Sequence, residues 1–188
     1  GLVGSEMCIR DSLGFFYYIL AAVFIVGMVN AVNFTDGIDG LNTSVTLVVA
    51  LVFSVIAMLL NRVGLSLYAA AIVGAMIGFL FWNANPAKVF MGDTGSLFLG
   101  GAVCALAFGV DMPILLILIG IIYIVEILSV VLQVTYFKIS HGKRIFKMAP
   151  IHHHFEMCGW NENKICFVFS GVTLFAGIIG VLLAVFGC

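Results

Sequence analysis

The sequence predicts an all-α, polytopic integral membrane protein, and three observations carry that prediction. Of its 188 residues, 63% are hydrophobic and 9% are charged, with a mean hydropathy of +1.25. A soluble domain is roughly half apolar and about a quarter charged. The charges are missing from six long stretches, and a helix needs about 20 apolar residues to cross a bilayer. Those stretches also lack the polar–apolar alternation of a membrane barrel strand. With no water in the hydrocarbon, the backbone must satisfy itself within each segment, which leaves helices.

Each span is set by its charge-free run. The run Ser12–Thr35 predicts a helix at about 13–33, and Gly40–Asn61 predicts one at 43–61. Val63–Ala87 predicts a helix at 65–84. Thr94–Val110, predicting 94–110, has 17 residues, the short limit for a core of about 30 Å at ~1.5 Å per residue. Pro113–Phe137 is interrupted only by Glu126 and predicts 113–137; Ile165–Cys188 predicts 165–187. Six transmembrane helices are therefore visible.

The 8 basic and 9 acidic residues leave a net charge of −1. That balance excludes nucleic acid as a partner, since binding it needs clustered excess cations. Six of the cations, Lys88, Lys138, Lys143, Arg144, Lys147 and Lys164, fall in connectors on one side of the membrane. The opposite side holds Arg62, Asp111 and the amino-terminal Arg10. The positive-inside rule places the loops around 34–42, 84–93 and 138–164 in the cytoplasm. Cys8, Cys104, Cys158, Cys166 and Cys188 form no CxxC pair, so neither a disulfide framework nor a zinc site of usual spacing is indicated. Residues 1–12, GLVGSEMCIRDS, carry no cleavable signal pattern and differ in character from the apolar runs after them. The expectation is that this stub is not native to the protein and that the natural chain continues upstream.

Three connectors hold the unusual polar residues. In the first, Asn30, Asn33, Asp36 and Asp39 recur every three residues, which keeps them on one side of a helix end tightening into a turn. Gly37 and Gly40 permit positive φ and close approach. Two carboxylates and two amides suit a cation or the hydroxyls and base of a nucleotide; an ordinary Asp-Gly turn is the alternative. In the second, Pro86 stops a helix and Asp93 stands where the next begins. As a cap it would leave the Thr94, Gly95 and Ser96 amides at a positive helix end, a seat for phosphate. Asp93 beside that seat suits Mg²⁺ bridging to a diphosphate, although an N-cap alone explains it as well. The third holds Lys143, Arg144 and Lys147, suited to anionic lipid heads or a phosphorylated substrate, and then His152, His153 and His154. Three consecutive histidines cannot converge on one metal from a regular element, so polar contacts to substrate are favoured over zinc. Within the fifth span, Tyr123, Glu126, Ser129 or Val130, and Gln133 make a polar stripe. An intramembrane carboxylate is costly, and Glu126 has either a functional role or a protonated or paired place in the bundle.

The segments NAVNFTDGIDGLN, FWNANPAKVFMGDTGSLFLGG and APIHHHFE, in this order and separated by membrane spans, resemble the phospho-N-acetylmuramoyl-pentapeptide transferases. These are a branch of the polyprenyl-phosphate N-acetylhexosamine-1-phosphate transferase superfamily. The resemblance runs from about Leu13 onward, and the HHHFE block points to that branch rather than to relatives using UDP-GlcNAc. It implies a Mg²⁺-dependent phosphoglycosyl transfer in the bacterial inner membrane. Phospho-MurNAc-pentapeptide would pass from UDP-MurNAc-pentapeptide to undecaprenyl phosphate, giving lipid I and UMP for peptidoglycan biosynthesis. By the resemblance, Asp93 matches the magnesium-binding aspartate, while Asp36 and Asp39 join it as catalytic acids. By the same resemblance Asn33, Asp36 and Asp39 match the family's polar loop, with Asp39 near the uridine, Phe90 matches an aromatic that stacks on uracil, and Asn83 a nearby amide. Gln133, His152, His153 and His154 match positions lining the nucleotide-sugar site. A homodimer is also implied.

One departure stands out. The family's upstream spans carry an adjacent aspartate pair and a lysine, and this chain has no Asp-Asp pair. Residues 13–188 are therefore expected to be the carboxy-terminal part of a single membrane transferase domain, with its amino-terminal spans missing and no activity alone. Three rival readings are a UDP-GlcNAc transferase, a transporter with an ion path of acids and histidines, and a structural membrane subunit. The transporter predicts acids deep in several spans, whereas Glu126 is the only central one.

Overall fold

The computed structural model describes residues 12–186. Among the described residues the helices run in order α1 (Phe15–Thr35), α2 (Leu41–Leu59), α3 (Val63–Asn83), α4 (Gly92–Gly109), α5 (Leu115–Ile119), α6 (Ile121–Ile139), α7 (Ile151–Glu156) and α8 (Glu162–Phe186). No strand occurs among the described residues. Six helices, all but α5 and α7, are long and apolar enough to cross a membrane. The chain is thus an all-α, multi-pass membrane protein. The short-limit span is α4, which gains length by starting at Gly92. The expected stub lies outside the described residues except for Ser12.

The expected continuous span 113–137 is divided. Gly120 has a non-helical ψ of 26°, and its N–H returns to the Leu116 carbonyl at 2.8 Å, ending α5 before α6 begins. The sequence reads as unbroken there because a lone glycine inside an apolar run is common in membrane helices. The small helix α7 was not expected as such.

Helix α2 is the central post. Its most apolar window is 61% buried, against 17% for α1 and for α3. It packs on α3 and α8, while α1 packs on α4 and α6. Phe53, Ile56 and Leu41 on α2 are fully buried, as are Leu106 on α4 and Tyr123 on α6. Outward-facing Phe15, Phe81, Phe167, Phe175 and Phe186 are exposed, which would be an aggregation liability in water and is the normal surface in lipid.

Chain reversal sorts the helix ends into two groups. One end of the bundle carries the Arg62–Asp111 ion pair, 2.9 Å long and exposed. The other end gathers the connectors α1–α2, α3–α4 and α6–α8, and with them six of the cations.

Candidate active site

The turn between α1 and α2 is tight because its residues close it locally. The Asp36 amide bonds the Asn33 carbonyl at 3.1 Å, and Gly40 takes φ 74° as it starts α2. That left-handed conformation is natural for glycine. A Cβ on Gly40 would stand 3.5 Å from the Asn83 carbonyl, so α3 ends directly against this turn.

Asp39 is the node of the site. Its Oδ2 accepts from the Ala87 amide at 2.8 Å and from Asn85 Nδ2 at 3.3 Å. Its own amide donates to Glu162 Oε2 at 3.0 Å, and Asn85 also donates to that oxygen at 3.1 Å. Three connectors are tied together by this one residue. Neither Glu162 nor Asn85 stood out in the sequence. An acid in a helix's first turn, and an amide before proline, are both ordinary punctuation there.

Asn33, near the end of α1, reaches across to α4, where Nδ2 donates to Asp93 Oδ1 at 3.1 Å and to Ser96 Oγ at 2.8 Å. Asp93 is exposed in the first turn of α4, where the helix dipole favours an anion. Asn83 is buried: it accepts from Thr43 Oγ1 at 2.6 Å and donates to the Val89 carbonyl at 3.0 Å. Those two bonds brace the α3–α4 loop that presents Phe90, which is 74% exposed.

Asn33, Asp36, Asp39, Asn83, Phe90 and Asp93 all line one open cavity of about 210 Å³. Burial pushes the Asp36 carboxyl up to about 6, a Gly92 backbone hydrogen bond pulls it back, and the Asp93 charge raises it again. A carboxyl raised in part by a neighbouring negative charge marks a place where a cation would be favoured. Among the described residues, no three histidines, cysteines or acids close into a metal cage. Mg²⁺ does not require one, because it keeps several waters and takes one or two carboxylates plus phosphate oxygens. The hard oxygen donors of Asp93 and Asp36 fit that pattern.

The three histidines diverge, as consecutive residues on a helix must. His152 is fully buried and abuts Gly37 of the α1–α2 turn. His153 Nδ1 pairs with Glu156 Oε2 one turn on. His154 Nδ1 accepts from the Lys147 amide at 3.2 Å. Gln133 does not line the cavity: Oε1 accepts from the Ile145 and Phe146 amides at 3.1 and 2.9 Å, holding the loop after α6. It borders a separate cavity with Lys138, Arg144 and Lys147.

Comparison with known proteins gives the family. The sequence model of glycosyl transferase family 4 matches residues 6–111. The phospho-N-acetylmuramoyl-pentapeptide-transferase of Clostridium botulinum (strain Eklund 17B / Type B) is 52% identical over 183 residues, covering 95% of this chain and 56% of the relative. The namesake from Clostridium perfringens (strain SM101 / Type A) is 55% identical over 163 residues, covering 87% and 50%. That of Listeria monocytogenes serotype 4b (strain CLIP80459) is 48% identical over 178 residues, covering 95% and 55%. The chain spans about half the length of the curated relatives it matches. With more than half of its residues matched by the family model and its acids and amides gathered at one end of a helical membrane bundle, the chain belongs to glycosyl transferase family 4.

Proposed function

We propose that this chain takes part in transferring phospho-MurNAc-pentapeptide from UDP-MurNAc-pentapeptide to undecaprenyl phosphate, yielding lipid I and UMP. The observation that carries the reading is the convergence of Asp36, Asp39, Asp93, Asn33, Asn83 and Phe90 on one cavity at the helix ends. Relatives about half identical to this chain carry the matching name. The site end also holds most of the cations, which supports a cytoplasmic placement in the inner membrane of a bacterium.

Each residue has a part in that chemistry. The open face of Phe90 offers a stacking surface for uracil. Asp39, locked by Ala87 and Asn85, leaves its other carboxylate oxygen for a donor on the nucleoside. Asp93, aimed by the Asn33 amide, and Asp36 beside it would hold Mg²⁺. The ion would supply neutralisation of the diphosphate charge. Phosphoryl transfer is mostly positioning and charge stabilisation, so rigid carboxylates at the membrane surface are the parts it needs. An oxygen of the lipid phosphate attacks the sugar-bearing phosphorus, the bond between the two donor phosphates breaks, and UMP departs.

The test is transfer from UDP-MurNAc-pentapeptide, and in parallel from UDP-GlcNAc, in membranes expressing the complete protein. Lipid I formation that is lost with Asp93→Asn and with chelation of Mg²⁺ is expected. Preferred use of UDP-GlcNAc, or full activity of Asp93→Asn, would overturn the reading.

A further inference from the structure

Glu126 is the one carboxylate deep within a predicted span, and the structure gives it a partner. Its Oε2 lies 3.0 Å from His152 Nδ1, and both side chains are completely buried. The approach is off the line of a good hydrogen bond, and among the described residues neither group has another hydrogen-bond partner. A buried polar pair of this kind is costly unless each member keeps the other. The site of Glu126 on α6 is itself fixed. One turn earlier, Tyr123 Oη meets Thr46 Oγ1 at 2.7 Å, and Thr46 donates to Asn42 at 3.1 Å, tying α6 to the first turns of α2.

The far side of the His152 ring faces the acidic turn. A Cβ built on Gly37 would lie inside van der Waals contact of Nε2 and 2.7 Å from Cε1. Gly37 sits between Asp36 and Asp39, and all three line the candidate cavity. The sequence of contacts is therefore Glu126, His152, Gly37, with a cavity carboxylate on either side of the last.

We propose that Glu126 is a positioning residue: by holding the His152 imidazole against Gly37, it sets the shape of the turn that presents Asp36 and Asp39 to the donor substrate. Glycine is required at position 37 because the imidazole occupies the space of a side chain. Glu126 itself touches no substrate. Its influence reaches the cavity through a ring and a backbone that have no room to move independently. Phe90 and Asn83 on the α3–α4 loop have their own braces at Thr43 and the Val89 carbonyl, so the stacking part of nucleoside affinity is not set by this chain of contacts, whereas the part Asp39 supplies is.

This inference rests on the transferase reading, and its test separates the two. In the complete protein, Glu126→Ala is expected to lower kcat about tenfold or more, with a smaller rise in KM for the UDP donor because the Phe90 stacking face is kept. Glu126→Gln, which keeps the shape and an acceptor for Nδ1, should restore most of the loss. Gly37→Ala, on the turn, should reproduce the kcat defect by displacing the ring. The two alanine changes act on the same contact, so the double variant should be no worse than about its weaker parent. Hydrogen exchange at residues 36–40 should quicken in Glu126→Ala and stay near wild type in Glu126→Gln.

Unchanged kcat in Glu126→Ala, or multiplied losses in the double variant, would overturn the proposal. If Glu126→Ala fails to fold, Gly37→Ala decides: wild-type kcat there would overturn it. If the wild-type protein shows no transfer at all, the functional reading fails by itself, and exchange at 36–40 still judges this one. Equal exchange in wild type and Glu126→Ala would then refute it.

Discussion

Asn33 Nδ2 donates to Asp93 Oδ1 at 3.1 Å, so the last turn of α1 aims the acid that opens α4. The same amide donates to Ser96 Oγ. Losing it leaves Asp93 free to turn away and removes two bonds between helices. Asn33→Ala should therefore cut turnover about tenfold or more. It should cost roughly 1–2 kcal/mol of stability, since a hydrogen bond to a charged acceptor is worth more than a neutral one. Asn33→Asp should be worse than Ala, because it replaces a donor with a second negative charge beside Asp93. Turnover and thermal unfolding of the complete protein and its two variants in detergent check both points.

Asp36 gives a pH dependence with a definite sign. Its carboxyl is raised from an ordinary 3.8 to about 6, first by burial and then by the neighbouring Asp93 charge. A raised acid binds more protons folded than unfolded between those two values, so it destabilises as pH climbs through that window. Above about 6 the cost is complete. In metal-free protein Asp36→Asn removes it, and the variant should be more stable than wild type by roughly 1–2 kcal/mol at pH 8, once solvent screening of the part-exposed group is allowed for. The gap should shrink as pH falls through about 6. Turnover of this stabilised variant should be close to zero. Thermal melts with chelator at pH 5 and pH 8 give the answer; a gap that widens toward low pH would contradict it.

The opposite end of the bundle supplies a contrast. Arg62 and Asp111 pair at 2.9 Å, with both side chains about half exposed. Exposed pairs contribute little, typically under about 1 kcal/mol. Asp111→Asn should leave transfer within about twofold of wild type and shift unfolding only slightly. A large loss of activity would mean that this end of the bundle bears on the site.

Much of this arrangement is legible in the amino-acid sequence. The spans are marked by missing charges, because lipid penalises each one. The recurrence Asn30, Asn33, Asp36, Asp39 marks a helix end, and two of those residues reach other connectors in the folded chain. What periodicity could not reveal was the tertiary role of residues that look ordinary locally. Glu162 and Asn85 read as a helix start and a proline neighbour, yet both meet at Asp39. Gln133 belongs to the polar stripe of α6, yet its amide is used by the loop at 145–146 rather than by the cavity. The stripe shows which side of the helix is polar, but not which partner the chain brings to it. The break at Gly120 was hidden for a similar reason: an apolar run is silent about where its helix bends.

The packing of α1 on α4 carries the last prediction, since these helices bear Asn33 and Asp93. At Gly100 the two backbones come so close that a Cβ would stand 2.7 Å from Val29 Cα and 3.1 Å from the Val29 carbonyl oxygen. Main-chain atoms cannot rotate aside as a flexible side chain would. Gly100→Ala must therefore push the helices apart, at a cost of about 1–3 kcal/mol for an overpacked contact. Small residues permit this kind of close approach between membrane helices. Because Gly100 lies about two helical turns below Asp93, the separation should also lengthen the Asn33–Asp93 contact and lower turnover several-fold. Gly101→Ala is the control: it sits one residue on, where a Cβ meets nothing within 4 Å. Alanine there should leave both unfolding temperature and turnover near wild type, so that equal effects at 100 and 101 would refute the close-contact explanation.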